Sequence, residues 1–301
     1  MSFEFKPAVR EQVSLLIAFA GPSGSGKTLS ALRVAKGISP NGKIMFVDTE
    51  ARRGLHYADD FQFMHADMRP PFRPLRFTEA VKAAEASGAE VIIIDSFSNE
   101  YDGEDGIMDW AMELEAKGVK SPGNWKEPKL AHKRMMNTFL QCRASIIFCL
   151  RADEKIEIIR ENGKTQVRPL GWTPICEKRT MYEMTCSFTL TADNPGKPQF
   201  NLPHKLQQQH RHMFPEGEFI NEKSGQMIAE WARGGVVPST KTPTVDVADL
   251  LIQGDGKATE GMVVLGEWWK ALTADERKAL GPKQIEAWKV IASAPQEISN
   301  D

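Results

Sequence analysis

The chain has 301 residues, 41% of them hydrophobic and 26% charged, with a net charge of −2. That length suits one large domain, or a core plus a small appendage, and the composition is that of an ordinary globular protein. The near-neutral charge excludes a global electrostatic pull onto nucleic acid, so any such contact must use a local basic surface.

The first predicted element is the apolar stretch Val13 to Ala20, which reads as a buried parallel strand. It runs into Gly21-Pro22-Ser23-Gly24-Ser25-Gly26-Lys27-Thr28, a complete G-x-x-x-x-G-K-[ST] phosphate loop. Leu29, Leu32, Val34 and Ala35 then fall among helix formers. Strand, glycine loop and helix in that order are the context the motif requires. Glycines let backbone N–H groups curl around a polyphosphate, and the helix start adds the positive end of its dipole. Lys27 is expected to reach the β- and γ-phosphates of a nucleotide, and the Thr28 hydroxyl to ligate Mg²⁺.

Farther on, Lys43 to Val47 reads as a strand, Phe61 to Met64 as a short one, Thr78 to Ser87 as a helix and Val91 to Ile94 as a strand buried on both faces. A helix is expected from Pro128 to Cys142, with Leu130, Met135, Phe139 and Leu140 inward, and a central strand from Ser145 to Leu150. Alternating strands and helices predict a mostly parallel α/β sheet with right-handed crossovers.

Asp95 ends the strand Val91–Ile94, where a carboxylate beside a phosphate loop is the expected holder of Mg²⁺. The Asp48-Thr49-Glu50 segment supplies acids at another strand end. A water attacking the γ-phosphate needs a carboxylate to orient it. Glu50 is the candidate, Asp48 its competitor, and Glu100 lies farther along the Asp95 loop. Arg151, at the tip of the Ser145–Leu150 strand, is the candidate γ-phosphate sensor, and Lys178 and Arg179 are candidates to act across a subunit interface.

Beyond residue 150 the pattern changes. Lys155 to Arg160, a Glu-Asn-Gly turn and Lys164 to Arg168 read as a β-hairpin. Met181 to Leu190 reads as a strand and Met227 to Ala232 as a closing helix. Gly234, Gly235, Pro238 and Pro243 mark a linker. The expected domains are 1–235, a linker over 236–257 and a helical module over 258–301. In that module Leu265, Trp268, Trp269 and Leu272 share a face that Leu280, Ile285, Trp288 and Val290 close as a miniature core. Three basic stretches could touch DNA: the hairpin with Lys155, Arg160, Lys164 and Arg168 and the nearby Trp172; His204 to His212; and Lys126 to Arg134. The hairpin is the preferred one.

No apolar run approaches the roughly 20 residues of a membrane span, and Met1 to Lys6 carries no signal-peptide core. The four cysteines show no C-x-x-C pair and read as reduced thiols. A cytoplasmic protein with no membrane contact is expected. The histidines show no zinc spacing, and no nucleophile triad is evident.

The phosphate loop, Val47-Asp48-Thr49-Glu50-Ala51-Arg52-Arg53-Gly54, Ile94-Asp95-Ser96-Phe97-Ser98-Asn99-Glu100, Trp125, Arg151 to Lys155 and Tyr182-Glu183 together resemble bacteriophage and prophage RecA-like P-loop ATPases, AAA-family ATP-binding proteins of the phage recombination type. The resemblance spans residues 8–235. It implies ATP and Mg²⁺ as cofactors, hydrolysis, single-stranded DNA as a partner and assembly into homo-oligomers. The tail, with Gly261, Trp268, Trp269, Leu272 and Lys289, resembles a helical module appended to phage DNA-metabolism proteins, and implies docking to a single-strand-binding protein or phage nuclease. Two departures stand out. Asn99-Glu100-Tyr101 replaces a loop that often carries an aromatic and a His, and RecA has a Gln where Arg151 stands. Strand exchange is therefore not implied. The competing readings are a slowly hydrolysing, nucleotide-gated adaptor that recruits a partner through its tail, and a small-molecule kinase, which the missing Arg-rich lid disfavours.

Overall fold

A computed structural model describes residues 13–161, 164–234 and 247–293. The chain divides into two compact units, Met1–Gly235 and Val236–Asp301.

The first unit is built on a sheet with strand order β3-β2-β4-β5-β1-β7-β8. Its strands are β1 (Leu16–Gly21), β2 (Ile44–Asp48), β3 (Met64–Asp67), β4 (Val91–Asp95), β5 (Ser145–Glu161), β6 (Lys164–Pro174), β7 (Cys186–Thr189) and β8 (His204–Lys205). The path from β3 to β7 is parallel, and β8 joins antiparallel. This is the expected α/β P-loop fold. Side chains alternate across it with period two. Ile17, Phe19, Ile93 and Ile147 face one layer, with α1 (Lys27–Ile38) and α7 (Glu222–Arg233). Leu16, Ala18, Ile92, Ile94 and Phe148 face the other, with α2 (Pro74–Ala86) and α5 (Lys126–Gln141). In that second layer the ring of Phe97 packs 4.8–6.1 Å from those of Phe77, Phe139 and Phe148. Two-sided burial explains why these strands read as continuous apolar runs.

Several elements differ from the expectation. The second strand reaches Asp48 because its ladder with β4 runs on to the Asp48–Asp95 pair. The short strand is Met64–Asp67, since Phe61 and Phe63 pack their rings on the core instead of joining the ladder. Helix α2 starts at Pro74, whose fixed φ suits the first helical position. In α5 the buried stripe is Pro128, His132, Met135, Met136 and Phe139, a 3.6-residue rhythm that leaves Leu130 and Leu140 exposed. Two further helices are α3 (Asn99–Asp102), a single polar turn, and α4 (Ile107–Ala116), which buries Ile107 and Ala111. The expected strand from Met181 begins as a helical turn, α6 (Thr180–Glu183), before β7. Helix α7 starts at Glu222, capped by Asn221, whose side chain accepts from the Lys223 and Ser224 amides. The hairpin exists, but β5 is one strand running through the sheet and out into it, paired with β6.

The second unit has three helices: α8 (Val247–Thr259), α9 (Met262–Ala271) and α10 (Ala274–Ala292), the last broken at Gly281–Pro282. Residues 247–257, expected as linker, are thus helical. Gly235, Pro238 and Pro243 of the expected linker lie outside the described residues. Trp288 is fully buried, while Val290 is exposed and closes nothing. Among the described residues no helix is long and apolar enough to cross a membrane.

Candidate functional site

Because β1, β2, β4 and β5 are parallel, the C-terminal ends of β1, β2 and β4 share one edge of the sheet with the Cys149–Arg151 stretch of β5. Register places Gly21 beside Arg151, and Asp48 beside Asp95, which in turn pairs with Cys149. A cavity of about 560 Å³ opens there. Of the phosphate loop, Ser23, Gly24, Gly26, Lys27 and Thr28 line it. Gly21, Pro22 and Ser25 do not; they hold the loop from behind. Ser25 Oγ donates to the Pro22 carbonyl at 2.8 Å. Gly26 caps α1 at φ 82°, and a Cβ there would meet the backbone nitrogen of Gly196 at 2.7 Å, so only glycine fits.

Lys27 Nζ donates to the carbonyls of Gly21 at 2.9 Å and Pro22 at 2.7 Å. Burial lowers its pKa, against the charges of Cys149, Asp95 and Glu50. Thr28 Oγ1 donates to Asp95 Oδ2 at 2.6 Å. Asp95 is buried and its pKa is raised to about 6. Burial is the main cause, opposed by the Thr28 bond and reinforced by Glu50. A hydroxyl and a carboxylate meeting at a helix start, beside a cradle of backbone amides, are the donor set that a hard, oxygen-preferring cation such as Mg²⁺ takes when it rides on phosphates.

The geometry separates the three candidate acids. Asp48 is completely buried and its carboxylate is saturated. It accepts from the amides of Glu50 at 2.7 Å, Arg52 at 3.3 Å and Gly54 at 2.8 Å, and contacts His65 Nε2 at 3.1 Å. It works as the hub of the 49–54 turn. In that turn Ala51 and Arg52 both take left-handed φ, 56° and 69°. Such strain persists only where surroundings over-determine it. Gly54 completes the hub, since a Cβ there would meet the Phe46 ring at 2.6 Å. Glu100 is buried under the edge, bonded through Oε1 to His132 Nδ1 at 3.0 Å, and does not line the cavity. Glu50 does line it, beside Arg53 at 3.4 Å.

Arg151 also lines the cavity. Its Nη2 bonds Asn99 Oδ1 at 3.0 Å and Asp102 Oδ1, while its buried Nε has no partner. Asn99 Nδ2 donates to Thr49 Oγ1 at 2.8 Å and to the Thr49 carbonyl at 3.1 Å. Thr49 Oγ1 in turn donates to the Ser96 carbonyl and accepts from the Ser96 amide, both at 2.8 Å. Thr49 and Asn99 therefore join the Glu50 turn, the Asp95 strand end and Arg151. Sequence reasoning assigned neither a role, nor found Arg53, His56 and Tyr57 on the cavity wall. Thr49, Arg53 and Asn99 had one signal, their position within the Asp48–Gly54 and Asp95–Glu100 strings; His56 and Tyr57 had none.

The other expected cationic surfaces are partly dismantled. His132 is buried against Glu100, and His210 is buried with its ring edge-on to Trp231 at 4.4 Å. Lys155, Arg160 and Arg168 are exposed on the hairpin, and the side chain of Lys164 lies outside the described residues. All four cysteines are buried and free.

A family model described as an AAA domain matches residues 14–199. No curated protein sequence matches the chain. Among solved structures, the RadB recombinase is similar at 14% identity, covering 61% of this chain and 76% of that one, with a TM-score of 0.34. An ATP synthase subunit, NeqB of Nanoarcheaum equitans, is similar at 12% identity, covering 94% of this chain and 75% of that one, with a TM-score of 0.37.

Proposed function

The chain belongs to the AAA domain family, and from that premise we propose that it binds ATP with Mg²⁺ and hydrolyses the γ-phosphate. One observation carries the reading: Lys27, Glu50 and the bonded pair Thr28–Asp95 line a single cavity at the mouth of a phosphate loop. Loop amides cradle the phosphates, and Lys27 leaves the Gly21 and Pro22 carbonyls to hold the β- and γ-oxygens. Thr28 and Asp95 would hold Mg²⁺, which when bound would supply neutralisation of phosphate charge. Glu50 orients water and accepts its proton, in a turn that Asp48 keeps rigid. Arg151 turns from Asn99 and Asp102 toward the γ-phosphate, acting on developing charge.

The test is Glu50→Gln. It should retain ATP-analogue binding while turnover falls about 10²–10³-fold, a loss in the range of one electrostatic or acid–base group. Full turnover in that variant overturns the assignment of the base.

The finer reading is action on single-stranded DNA in phage recombination or replication, in the cytoplasm of a bacterial cell and as a homo-oligomer. The sequence resemblance and the exposed cations of the hairpin support it. A second reading, the nucleotide-gated adaptor, is favoured by Ile252, Val263 and Val290, large apolar residues 70–75% exposed on the C-terminal helices, where a single-strand-binding protein or nuclease would dock. Strong stimulation of ATP hydrolysis by single-stranded DNA favours the first reading; slow, unstimulated hydrolysis favours the second.

A further inference from the structure

A second, smaller crevice of about 350 Å³ lies apart from the residues that line the nucleotide cavity. Its walls carry two aromatic rings, Tyr101 and Trp125, three lysines, Lys126, Lys129 and Lys178, and one carboxylate, Glu177. Both rings are part-buried, so they hold their orientation, while the three lysines are exposed. Lys129 Nζ stands 5.7 Å from the centroid of the Trp125 ring. Glu177 is engaged locally, its Oε2 accepting from the Arg179 amide at 2.7 Å. The crevice therefore presents three cations and one carboxylate around two ring faces, with one oxygen of that carboxylate held by a backbone amide.

Three separate segments build it: α3 with Tyr101, the start of α5 with Trp125, Lys126 and Lys129, and the approach to α6 with Glu177 and Lys178. Beneath it a buried polar chain ties the same three together. Glu100 Oε1 meets His132 Nδ1 at 3.0 Å, and His132 Nε2 meets Thr180 Oγ1 at 3.3 Å. All three residues are buried. This buried chain, in which only Glu100 Oε2 is left without a partner, links the three elements to one another. It makes the crevice a built site and not a gap between loosely packed segments.

We propose that this crevice is where a single-stranded nucleic acid binds, with a base stacked against Trp125 and Tyr101 and adjacent phosphates on Lys126, Lys129 and Lys178. Ring faces accept any base, and lysines follow a backbone without reading sequence. A duplex hides its base faces and does not fit. The site also reports on the nucleotide. Helix α3 begins four residues after Asp95, its Asn99 bonds Thr49 beside Glu50, and its Asp102 holds Arg151. Release of Arg151 toward a phosphate frees the helix that carries Tyr101. The proposal rests on the single-stranded DNA reading given above and replaces the hairpin as its main contact.

The test measures anisotropy of fluorescein-labelled oligothymidylate with the full chain, Mg²⁺ and a non-hydrolysable ATP analogue. Trp125→Ala should weaken binding about 5- to 100-fold and Trp125→Phe should keep most of it, as expected for a stacking face. Lys129→Ala should lower the slope of log affinity against log salt by about 0.7. ATP-analogue affinity should stay unchanged in all three variants. If the unaltered chain binds the oligonucleotide and Trp125→Ala binds it equally well, the crevice is not the site and the DNA reading survives elsewhere on the surface. If the unaltered chain binds no oligonucleotide in any nucleotide state, both readings fall together. If poly-glutamate binds as tightly and is lost equally in Trp125→Ala, the crevice is a peptide groove and the proposal is overturned.

Discussion

At the loop edge of the sheet, ionisable side chains are taken out of water without full compensation. Asp95 is buried beside the Cys149 thiol, under a part-buried Lys27, and burial drives the Asp95 pKa up and that of Lys27 down. In the C-terminal helices the opposite holds. Trp288 is fully buried between Trp268 and Trp269, whose rings lie 5.6 and 6.4 Å away, and its one polar atom, Nε1, donates to Asp255 Oδ1 at 2.6 Å. One region keeps buried charge poised for a ligand; the other spends its burial on cohesion. Stability and chemistry are therefore separable by region, and substitutions should divide along that line.

The largest effect on stability belongs to the helices. Trp288→Ala removes their central side chain and should cost about 3–5 kcal/mol. Calorimetry should register it while ATP hydrolysis at the loop edge persists; a parallel loss of hydrolysis would break the separation. At the loop edge Lys27→Ala should cut turnover about 10²–10³-fold, roughly 3–4 kcal/mol of transition-state stabilisation. Its melting temperature should hardly move. Steady-state kinetics beside a thermal melt check both halves.

Asp95 sharpens the contrast, because there the two properties should move in opposite directions. Its folded pKa, about 6, lies above the reference value of 3.8. The folded state thus binds more protons between those values, and this group's contribution to stability declines as pH rises from about 4 to 6. Above that window the ionised carboxylate costs about 1–3 kcal/mol. Asp95→Asn keeps an acceptor for Thr28 and should raise stability by that amount at pH 8 in chelator, and by nothing near pH 4. The same variant should lose Mg²⁺-dependent hydrolysis. Denaturant melts at the two pH values decide it; equal stability of variant and parent at pH 8 would remove the strained-carboxylate account. The smallest effect is expected at Asn99→Ala, which deletes two bonds to Thr49 and one to Arg151 and should cost about 1 kcal/mol of stability. Turnover should drop more than binding if these bonds steady the Glu50 turn.

What was readable in the chain follows from how local each signal is. The phosphate loop is eight consecutive residues, and Asp95 and Glu50 stand at the ends of apolar runs, so their shared edge follows once the strands are parallel. The sequence put Glu50 ahead of Asp48 and Glu100, but what takes the other two out of play was not readable. It depends on which carboxylate is consumed by neighbours, and those neighbours include His65 and His132, 17 and 32 residues away. Two members of the basic stretches were misplaced for the same reason, since the pattern gave no sign that His132 and His210 turn inward while Lys133 and Arg211 beside them stay exposed. Helix α3 was missed because a single polar turn carries little periodicity, whereas α4 does carry an apolar rhythm, with Ile107 and Ala111 buried four residues apart.

The amino-acid order alone determined the α/β layering, the phosphate loop and the row of acids at one sheet edge, because each is written in spacings shorter than a turn or a strand. Only the folded chain decided which acid faces the cavity, how Thr49, Asn99 and Arg151 join, and that Tyr101, Trp125 and Lys178 share a crevice. Those relations are set by hydrogen bonds and packing between residues tens of positions apart, and such distances leave no local pattern to find.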